Sequence, residues 1–292
     1  MNDTDVSQTL DRIAEALPGL PGETKKAATY LLENPTDVGL STIREMAAAA
    51  DVTPATLMRM AQRVGFEGYD DLRAPFREAL RQGSASFPDR ARWLQDLAAT
   101  GDLGPLYSDM VGTTLRNIEE TFAKIDAEAL KAAAQTIWDA RAVFTLGVGS
   151  NNANAQNFTY LASTGMVDFT SIPRPGSVPT DDLAFADKRD VLIAITCKPY
   201  RREVVEAVDV AKEQGMKIIG ISDSPASPLI LGATHGFVVS TESPQFFPSS
   251  VATIALLETL LSFVIAQATP EIVERVEKFH ARRHRIGIYL EE

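Results

Sequence analysis

Cysteine and histidine are scarce in this sequence. The chain has 292 residues but one cysteine, Cys197, which excludes an internal disulfide framework and indicates a reducing compartment. The three histidines, His235, His280 and His284, lack the spacing of a metal site. We therefore expect a cytoplasmic protein without disulfides, bound metal or cofactor.

Long uncharged apolar runs are lacking as well. The most apolar stretch, residues 250–269, contains Glu258 and Gln267, which favours a buried core helix over a membrane span. The N-terminal segment MNDTDVSQTLDRIAEAL is acidic and polar, which is not the pattern of a secretory signal. The sequence therefore predicts no membrane partner.

A net positive charge is also absent. The chain has 28 Lys and Arg against 39 Asp and Glu, a net charge of −11. This acidity counts against broad binding to nucleic acid, but phosphate contacts act only within a Debye length of ~8–10 Å. Residues 53–66 contain two arginines and no acid, and Arg73, Arg77 and Arg81 follow at helical spacing. The composition is therefore compatible with a local DNA-contacting surface.

The most informative stretch that is present, residues 42–65, reads TIREMAAAADVTPATLMRMAQRVG and predicts a helix-turn-helix. Thr42 and Glu45 have the spacing of a capping box at the start of the first helix. Thr53 suits the N-cap of the second helix, with Pro54 at its first position. Two short helices joined by so tight a turn are typical of a DNA-binding head.

The second helix of this motif has two different faces. At 3.6 residues per turn, its apolar face consists of Leu57, Met60, Ala61 and Val64. The residues that we expect to contact DNA are Thr53, Ala55, Thr56, Arg59, Gln62 and Arg63. Such small, hydroxyl, amide and guanidinium side chains suit a major groove. The alternative is an ordinary helical hairpin with a solvated charged face. Asp51 holds a turn position that is often glycine, and Gly65 can end the helix in the left-handed conformation.

The length of the chain and the order of its patterns predict two domains joined by a linker. Residues 1–82 are predicted to form an all-α head, and residues 83–126 a polar linker with connecting helices. The helical patterns of these two segments lie at 6–17, 23–34, 69–81, 90–99 and 106–124. Two apolar helices, 106–124 and 249–268, are candidate dimer surfaces, although either can instead pack within its own domain.

Residues 127–292 alternate short apolar runs with helical patterns, which predicts an α/β domain with a five-stranded parallel sheet flanked by helices. The predicted strands are 142–146, 166–170, 190–196, 216–222 and 236–240, and the helices between them are 150–164, 201–214 and 249–268. Ligands of such sheets bind at the carboxyl ends of the strands. The loops that follow the strands are therefore the candidate ligand site.

The first of these loops lies within the sequence LGVGSNNANAQ. It does not complete a dinucleotide fingerprint, because Asn152 occupies the position of the third glycine. We interpret Gly149, Ser150 and Asn151 as an anion-binding turn that presents backbone N–H groups at a helix start. The alternative is a plain tight turn from strand to helix.

Taken together, these segments resemble the RpiR/MurR type of transcriptional regulator, a helix-turn-helix head joined to a SIS (sugar isomerase) domain. The likeness rests on LPGETKKAATYLLENP, STIREMA and DVTPATLMRMAQRVGFEGYDDLR in the head, and on LGVGS, DVLIAIT, EVVEAVDVAKEQGMKIIGISDSPASPL and RRHRIGIYL in the remainder. The resemblance implies a doubly wound SIS fold that binds a phosphorylated sugar or related metabolite. It also implies a head that binds operator DNA as part of a homodimer or tetramer.

The sequence departs from that family in the loop after the third strand. SIS domains usually have Ser-x-Ser-Gly-x-Thr there, whereas this chain has Thr-Cys-Lys-Pro-Tyr-Arg at 196–201. We expect Pro199 to begin the next helix, so that the N–H groups of Tyr200, Arg201 and Arg202 point outward together. The remaining expected effector residues are Thr196, Lys198, Ser249 and Ser250. The alternative is that Lys198 and Arg202 merely face water.

Signs of catalysis are few. Cys197 has no activating neighbour beyond Lys198, and we interpret it as a small residue that lines the pocket. Glu242 is the best available general base, but the sequence indicates no histidine partner for it. We therefore predict a DNA-binding regulator that senses a small anionic metabolite and is not an enzyme. The alternative is a phosphosugar isomerase with an accessory helical domain.

Overall fold

The computed structural model describes residues 3–81, 87–99, 103–166 and 168–290. The chain forms two compact units: the first is Met1–Thr113 with Glu242–Pro248, and the second is Thr114–Thr241 with Ser249–Glu292. Among the described residues, no single helix has the length and apolar character to cross a membrane, and one helix pair, Val251–Ala266 with Pro270–Arg285, meets both requirements only together, across a bend of 118°.

The first unit is all-α, as predicted. Its helices are α1 (Asp3–Ala16), α2 (Gly22–Glu33), α3 (Pro35–Leu40), α4 (Ile43–Ala49), α5 (Pro54–Arg63), α6 (Tyr69–Arg81) and α7 (Phe87–Ala99), with a 3-10 turn at Leu17–Gly19 and with α8 (Gly104–Phe122) leading into the second unit. The apolar faces of α1 to α6 enclose one core, in which the largest buried side chains are Ile13, Leu31, Met46, Leu57, Met60, Tyr69 and Leu72.

The helix-turn-helix has the predicted caps. The backbone N–H of Thr42 donates to Glu45 Oε2 over 2.7 Å, and the N–H of Glu45 donates to the Thr42 hydroxyl over 3.3 Å. The hydrogen bond from the Thr42 N–H lowers the pKa of Glu45. Asp51 takes the left-handed conformation with φ 49°, and its carboxylate pairs with Lys26. The capping box therefore holds the start of α4, and the Asp51–Lys26 ion pair holds the turn that leads into α5.

Gly65 ends α5 as predicted, with φ 89°. Arg12 of α1 donates to the carbonyl oxygens of Val64 and Gly65, over 2.9 and 3.0 Å, and lies over the Phe66 ring. These carbonyls follow the last turn of the helix, where a cation is favourable. The end of α5 is thus tied to α1 by charge as well as by packing.

The second unit is the predicted α/β domain with a doubly wound parallel sheet. Its strands are β1 (Val143–Gly147), β2 (Phe169–Ile172), β3 (Val191–Ile195), β4 (Lys217–Ser222) and β5 (His235–Val238), in the order β2-β1-β3-β4-β5. Its helices are α9 (Ala127–Trp138), α10 (Ser150–Ala162), α11 (Pro179–Asp182), α12 (Arg202–Glu213), α13 (Pro228–Leu231), α14 (Val251–Ala266) and α15 (Pro270–Arg285).

Both faces of the sheet are covered, which explains the continuous apolar runs. Ile193 and Ile195 of β3 face the core shared with α9, α10 and α14, whereas Leu192 and Ala194 face the core shared with α12. The exposure of every β3 side chain is 0–1%. Parallel strands covered by helices on both sides have this pattern.

Two elements differ from the sequence-based expectation. Helix α3 was not predicted, because Pro35 indicates a helix end but is equally suited to the first position of a new helix. Strand β2 was placed at 166–170 but begins at Phe169, since Asp168 has a φ of 66° and interrupts extended backbone. Met166 is buried before the strand begins, so its apolar character reflects core packing.

The segment 242–248 packs within the first unit, although it connects β5 with α14. Arg90 of α7, which is 4% exposed, donates a hydrogen bond to the Ser243 carbonyl oxygen. The rings of Phe87 and Phe247 stack with centroids 4.4 Å apart. This contact to α7 had no signal in the sequence, because it joins residues about 150 positions apart.

Replacing Gly65 with alanine tests the end of α5. A side chain at φ 89° is strained, and its Cβ would lie 2.7 Å from Arg12 Nη2. We expect Gly65→Ala to lower the free energy of unfolding by about 1–2 kcal/mol, measured by urea denaturation. Gly22→Ala is the matched control, because nothing lies within 4 Å of a Cβ there. Equal effects of the two substitutions would contradict the assigned helix end.

Candidate DNA-contacting helix and effector site

The exposed face of α5 is the candidate DNA-contacting surface. Leu57, Met60 and Ala61 are fully buried, which fixes the opposite side of the helix outward. Of the residues expected to contact DNA, the structure exposes Thr53, Ala55, Arg59, Gln62 and Arg63. This set includes the two arginines and the amide on which the prediction depends.

Thr56 does not belong to this exposed set, which corrects the sequence-based expectation. Its side chain is 3% exposed, and its hydroxyl lies 2.9 Å from the Thr53 hydroxyl. The Thr56 N–H also donates to Thr53 Oγ1, over 3.2 Å. Thr56 is therefore buried and completes the N-terminal cap of α5.

Two further side chains help to define the surface. Arg59 donates from Nε to the Ala55 carbonyl oxygen over 3.2 Å, so its guanidinium lies along the helix towards the N-terminus. Met58, which was not among the predicted contacts, is 39% exposed on the same side. One pattern in the sequence indicates Met58, because positions 55, 58, 59 and 62 share a face at helical spacing.

The turn from β1 to α10 is the first part of the candidate effector site. A Cβ on Gly147 would lie 2.1 Å from the Asn151 carbonyl oxygen, so the helix approaches the strand end too closely for any side chain. Gly149 has a φ of 64° and is the N-cap of α10. Ser150 is exposed and Asn151 half-buried in the first turn. The helix N-terminus and the Ser150 hydroxyl thus face outward together, as an anion-binding turn requires.

The register of the sheet brings the loop after β3 to the same edge. Gly147, the last residue of β1, pairs with Ile195, the last residue of β3. Thr196 follows directly and is 2% exposed, and its carbonyl oxygen accepts from the Ser222 hydroxyl over 2.7 Å. The loops that contain Ser150 and Thr196 therefore leave neighbouring strands side by side.

The helix after this loop does not begin where the sequence predicted. Helix α12 starts at Arg202, with Arg201 as its N-cap, and Pro199 lies in the loop before it. The Arg201 N–H points inward to the Thr196 hydroxyl, over 3.5 Å. The expected outward set of N–H groups from Tyr200, Arg201 and Arg202 is therefore wrong.

The Arg201 guanidinium already has a partner. It donates to Glu203 Oε1 from Nη2 over 2.6 Å and from Nε over 3.1 Å. This hydrogen-bonded pair raises the pKa of Arg201 and lowers that of Glu203. An anion at Arg201 must compete with this carboxylate. Lys198 and Arg202 are exposed and form no ion pair with the residues that the structure describes.

Ser249 and Ser250 lie directly before α14. The Ser249 N–H donates to the Thr241 carbonyl oxygen over 2.9 Å, which places Ser249 just beyond β5. Strands β3 and β4 separate β5 from β1, a spacing of about 14 Å between strand axes. Ser250 is the N-cap of α14, without a hydrogen bond from its side chain.

Burial perturbs two titratable side chains of the second unit, Cys197 and His235. Burial raises the pKa of the Cys197 thiol to about 12. His235 accepts or donates a hydrogen bond of 2.9 Å with the Thr136 hydroxyl, and burial lowers the pKa of its ring. Within the described residues, no group of His, Cys, Asp and Glu side chains could hold a metal ion.

Two family models match this chain. The helix-turn-helix domain of the rpiR family matches residues 7–83, and the SIS domain matches residues 136–263. The chain is also 25% identical to an uncharacterized helix-turn-helix-type transcriptional regulator of Caldanaerobacter subterraneus, over 86% of this chain and 88% of that protein. It is 24% identical to the regulator RpiR of Escherichia coli, over 77% of this chain and 74% of RpiR.

Solved structures share the fold. The Vibrio vulnificus NanR protein complexed with ManNAc-6P matches 96% of this chain and all of that chain, with a TM-score of 0.57 and 18% identity. The sugar isomerase domain of an RpiR transcription factor from Sphaerobacter thermophilus matches 63% of this chain and 99% of that domain, with a TM-score of 0.56 and 25% identity.

The partly buried thiol of Cys197 gives a direct test of the loop after β3. Since burial disfavours the thiolate and the pKa of Cys197 is about 12, little thiolate is present at pH 8. We expect iodoacetamide to label the native protein about a hundredfold more slowly, or slower still, than the urea-unfolded protein. Because the chain has one cysteine, the signal has one source. Similar rates in both states would show that Cys197 is open to solvent.

Proposed function

Because the chain belongs to the rpiR family of helix-turn-helix transcriptional regulators and has a SIS domain behind the head, we propose that it binds operator DNA through α5 and that a small anionic metabolite controls this binding. The observation that carries the proposal is the exposed face of α5. A capped helix with three core-facing residues presents Arg59, Gln62 and Arg63 to solvent. Guanidinium and amide groups are the side chains that read guanine and adenine in the major groove.

We further propose that the regulator acts as a homodimer or larger assembly. One head offers few base contacts, whereas two related heads read half-sites about one helical turn apart. Helix α8 supports this proposal, since an apolar row that starts at the residue before the helix is 44–74% exposed at intervals of four residues: Leu103, Tyr107, Val111 and Leu115. Helix α14 is mainly occupied within its own unit, because Leu256, Leu257 and Leu260 are buried.

The proposed effector is a phosphorylated sugar or a related anionic metabolite. Its support is the geometry of the β1–α10 turn, where Gly147 and Gly149 bring a helix N-terminus to the strand edge. Thr196 lies beside that turn, and Lys198 supplies positive charge nearby in sequence. The NanR structure of the same fold is a complex with ManNAc-6P, which is a phosphorylated ligand.

The altered loop after β3 bears on which anion is bound. A hydroxyl-rich glycine loop would surround a phosphate with neutral donors, whereas this chain offers guanidinium and ammonium groups. A bidentate guanidinium fork fits carboxylate as well as phosphate. We therefore propose that sugar acids compete with sugar phosphates for this site, with the phosphorylated ligand anchored at the Ser150 turn.

Substitution of Arg59 tests the DNA-binding face. An operator is first selected from random DNA by the wild-type protein. We expect Arg59→Ala to weaken binding by about 1–3 kcal/mol if Arg59 reads a base, because a charged donor pair to the base edge is lost. If Arg59 contacts phosphate, the loss is uniform across sequences and the salt dependence falls by about one ion. The measurement is fluorescence anisotropy at several salt concentrations.

Arg189→Ala is the matched control, since Arg189 is an exposed arginine of the second unit. Circular dichroism checks that each variant is folded. Operator affinity that stays at the wild-type value in Arg59→Ala, with the fold intact, rules out the assigned face.

A pair of substitutions tests the effector site. A thermal-shift series of sugar phosphates, sugar acids and inositol-type metabolites identifies a ligand, because binding to the native state raises stability by RT ln(1 + [L]/Kd). We expect Arg201→Ala to weaken that ligand about tenfold. Glu203→Gln is expected to strengthen it, because the competing carboxylate is lost while the chain keeps its shape.

Ser150→Ala combined with Arg201→Ala is expected to abolish the response, with DNA binding in the absence of ligand unchanged. Ligand affinity that falls in Arg201→Ala and rises in Glu203→Gln indicates direct contact with the ligand, because a loss of folding would lower the affinity of both variants. If Arg201→Ala and Glu203→Gln bind the ligand equally well, the anion binds elsewhere.

A further inference from the structure

Met58 is an unusual residue on the exposed face of α5. The other two methionines at or near this helix, Met46 and Met60, are fully buried in the head. Met58 is 39% exposed instead, among Ala55, Arg59 and Gln62. A single exposed hydrophobic residue needs no special explanation. Met58, however, lies on the surface that we propose to enter the major groove, and this position gives its side chain a specific chemical role.

The Met58 side chain is held in place by Gly68. An added Cβ on Gly68 would lie 3.0 Å from Met58 Sδ and 3.7 Å from Cε, so the thioether rests directly on the Gly68 backbone. Gly68 lies just before α6, in the turn that follows α5. One side of the Met58 side chain thus contacts Gly68, and the other side is exposed to solvent.

The neighbours of Met58 complete a recognisable set of groups. Gln62 lies four residues further along α5, one helical turn away on the same face. In the major groove an A·T pair presents the thymine methyl group and, on adenine, N7 and the N6 amino group. A thioether matches the methyl group by apolar contact, and a glutamine amide matches the adenine edge by two hydrogen bonds.

We propose that Met58 is a specificity-determining residue that packs on the 5-methyl group of a thymine in each operator half-site, with Gln62 bound to the adenine of the same or the adjacent base pair. This inference rests on the proposed function, because it requires α5 in the major groove. It adds that the half-site contains an A·T pair read through its methyl group.

The experiment removes the methyl group from the DNA. Each thymine of the selected operator is replaced in turn by deoxyuridine, which differs only by that methyl. For the wild-type protein we expect one position per half-site at which Kd rises about fourfold, the change that corresponds to about 0.8 kcal/mol for one buried methyl-sized group. For operators with deoxyuridine at the other thymines, the Kd stays within twofold of the Kd for the unmodified operator.

Three variants show which residue is responsible. In Met58→Ala the deoxyuridine effect at that position disappears, whereas in Met58→Leu, which keeps an apolar side chain, it is retained. Gly68→Ala leaves Met58 in the sequence, but the new Cβ, 3.0 Å from Sδ, shifts the thioether by a few tenths of an ångström. We expect the deoxyuridine effect to weaken in Gly68→Ala while the folded head, followed by circular dichroism, is preserved.

The outcomes separate this inference from the proposed function. If the wild-type protein selects an operator but no thymine shows the effect, or if the effect persists in Met58→Ala, the role of Met58 is overturned and DNA binding stands. If the wild-type protein selects no sequence, both the proposed function and this inference are overturned.

Discussion

Burial of one side of α5 is the constraint on which the functional surface of this protein depends. Leu57, Met60 and Ala61 have no exposed area, so the helix cannot rotate without removing them from the core. Its ends are fixed independently, by the Thr53 cap at one end and by Arg12 at the other. Because the helix is rigid, these contacts determine which side chains face outward. The face of α5 that we propose to contact DNA is thus a consequence of core packing.

In the second unit, the register of the strands determines which loops lie together. Parallel pairing aligns Gly147 of β1 with Ile195 of β3 and Ile195 with Ile221 of β4, so the following loops leave one edge together. The contact of α10 with Gly147 then brings a helix N-terminus to that edge. The anion site that we propose lies at this edge, where the loop residues would decide which anion it suits. Arg201, held by Glu203, is the point at which this chain differs most from a neutral hydroxyl loop.

The sequence predicted the architecture because its signals are local or periodic. The capping box at Thr42, the turn at Asp51 and the continuous apolar runs of the strands each follow from nearby residues. Helical spacing predicts Thr56 on the exposed face, whereas its hydroxyl belongs to the N-terminal cap of the helix. Spacing alone does not distinguish these two environments. The Arg201–Glu203 pair was missed because residues two apart do not meet on a helix, whereas Arg201 lies at the N-cap, with extended backbone. Contacts distant in sequence, such as that of Arg90 with Ser243, had no signal.

Entry of the exposed face of α5 into the major groove of a specific operator is the proposal on which the function depends. Dimethyl sulfate footprinting tests it most directly, because the reagent methylates guanine N7 in the major groove and adenine N3 in the minor groove. On an operator selected by the wild-type protein, we expect protection of guanine N7 in two half-sites about one helical turn apart. Adenine N3 within those half-sites stays reactive. Protection of adenine N3 with guanine N7 fully reactive would rule out major-groove entry by α5, since the protein would then bind through the minor groove.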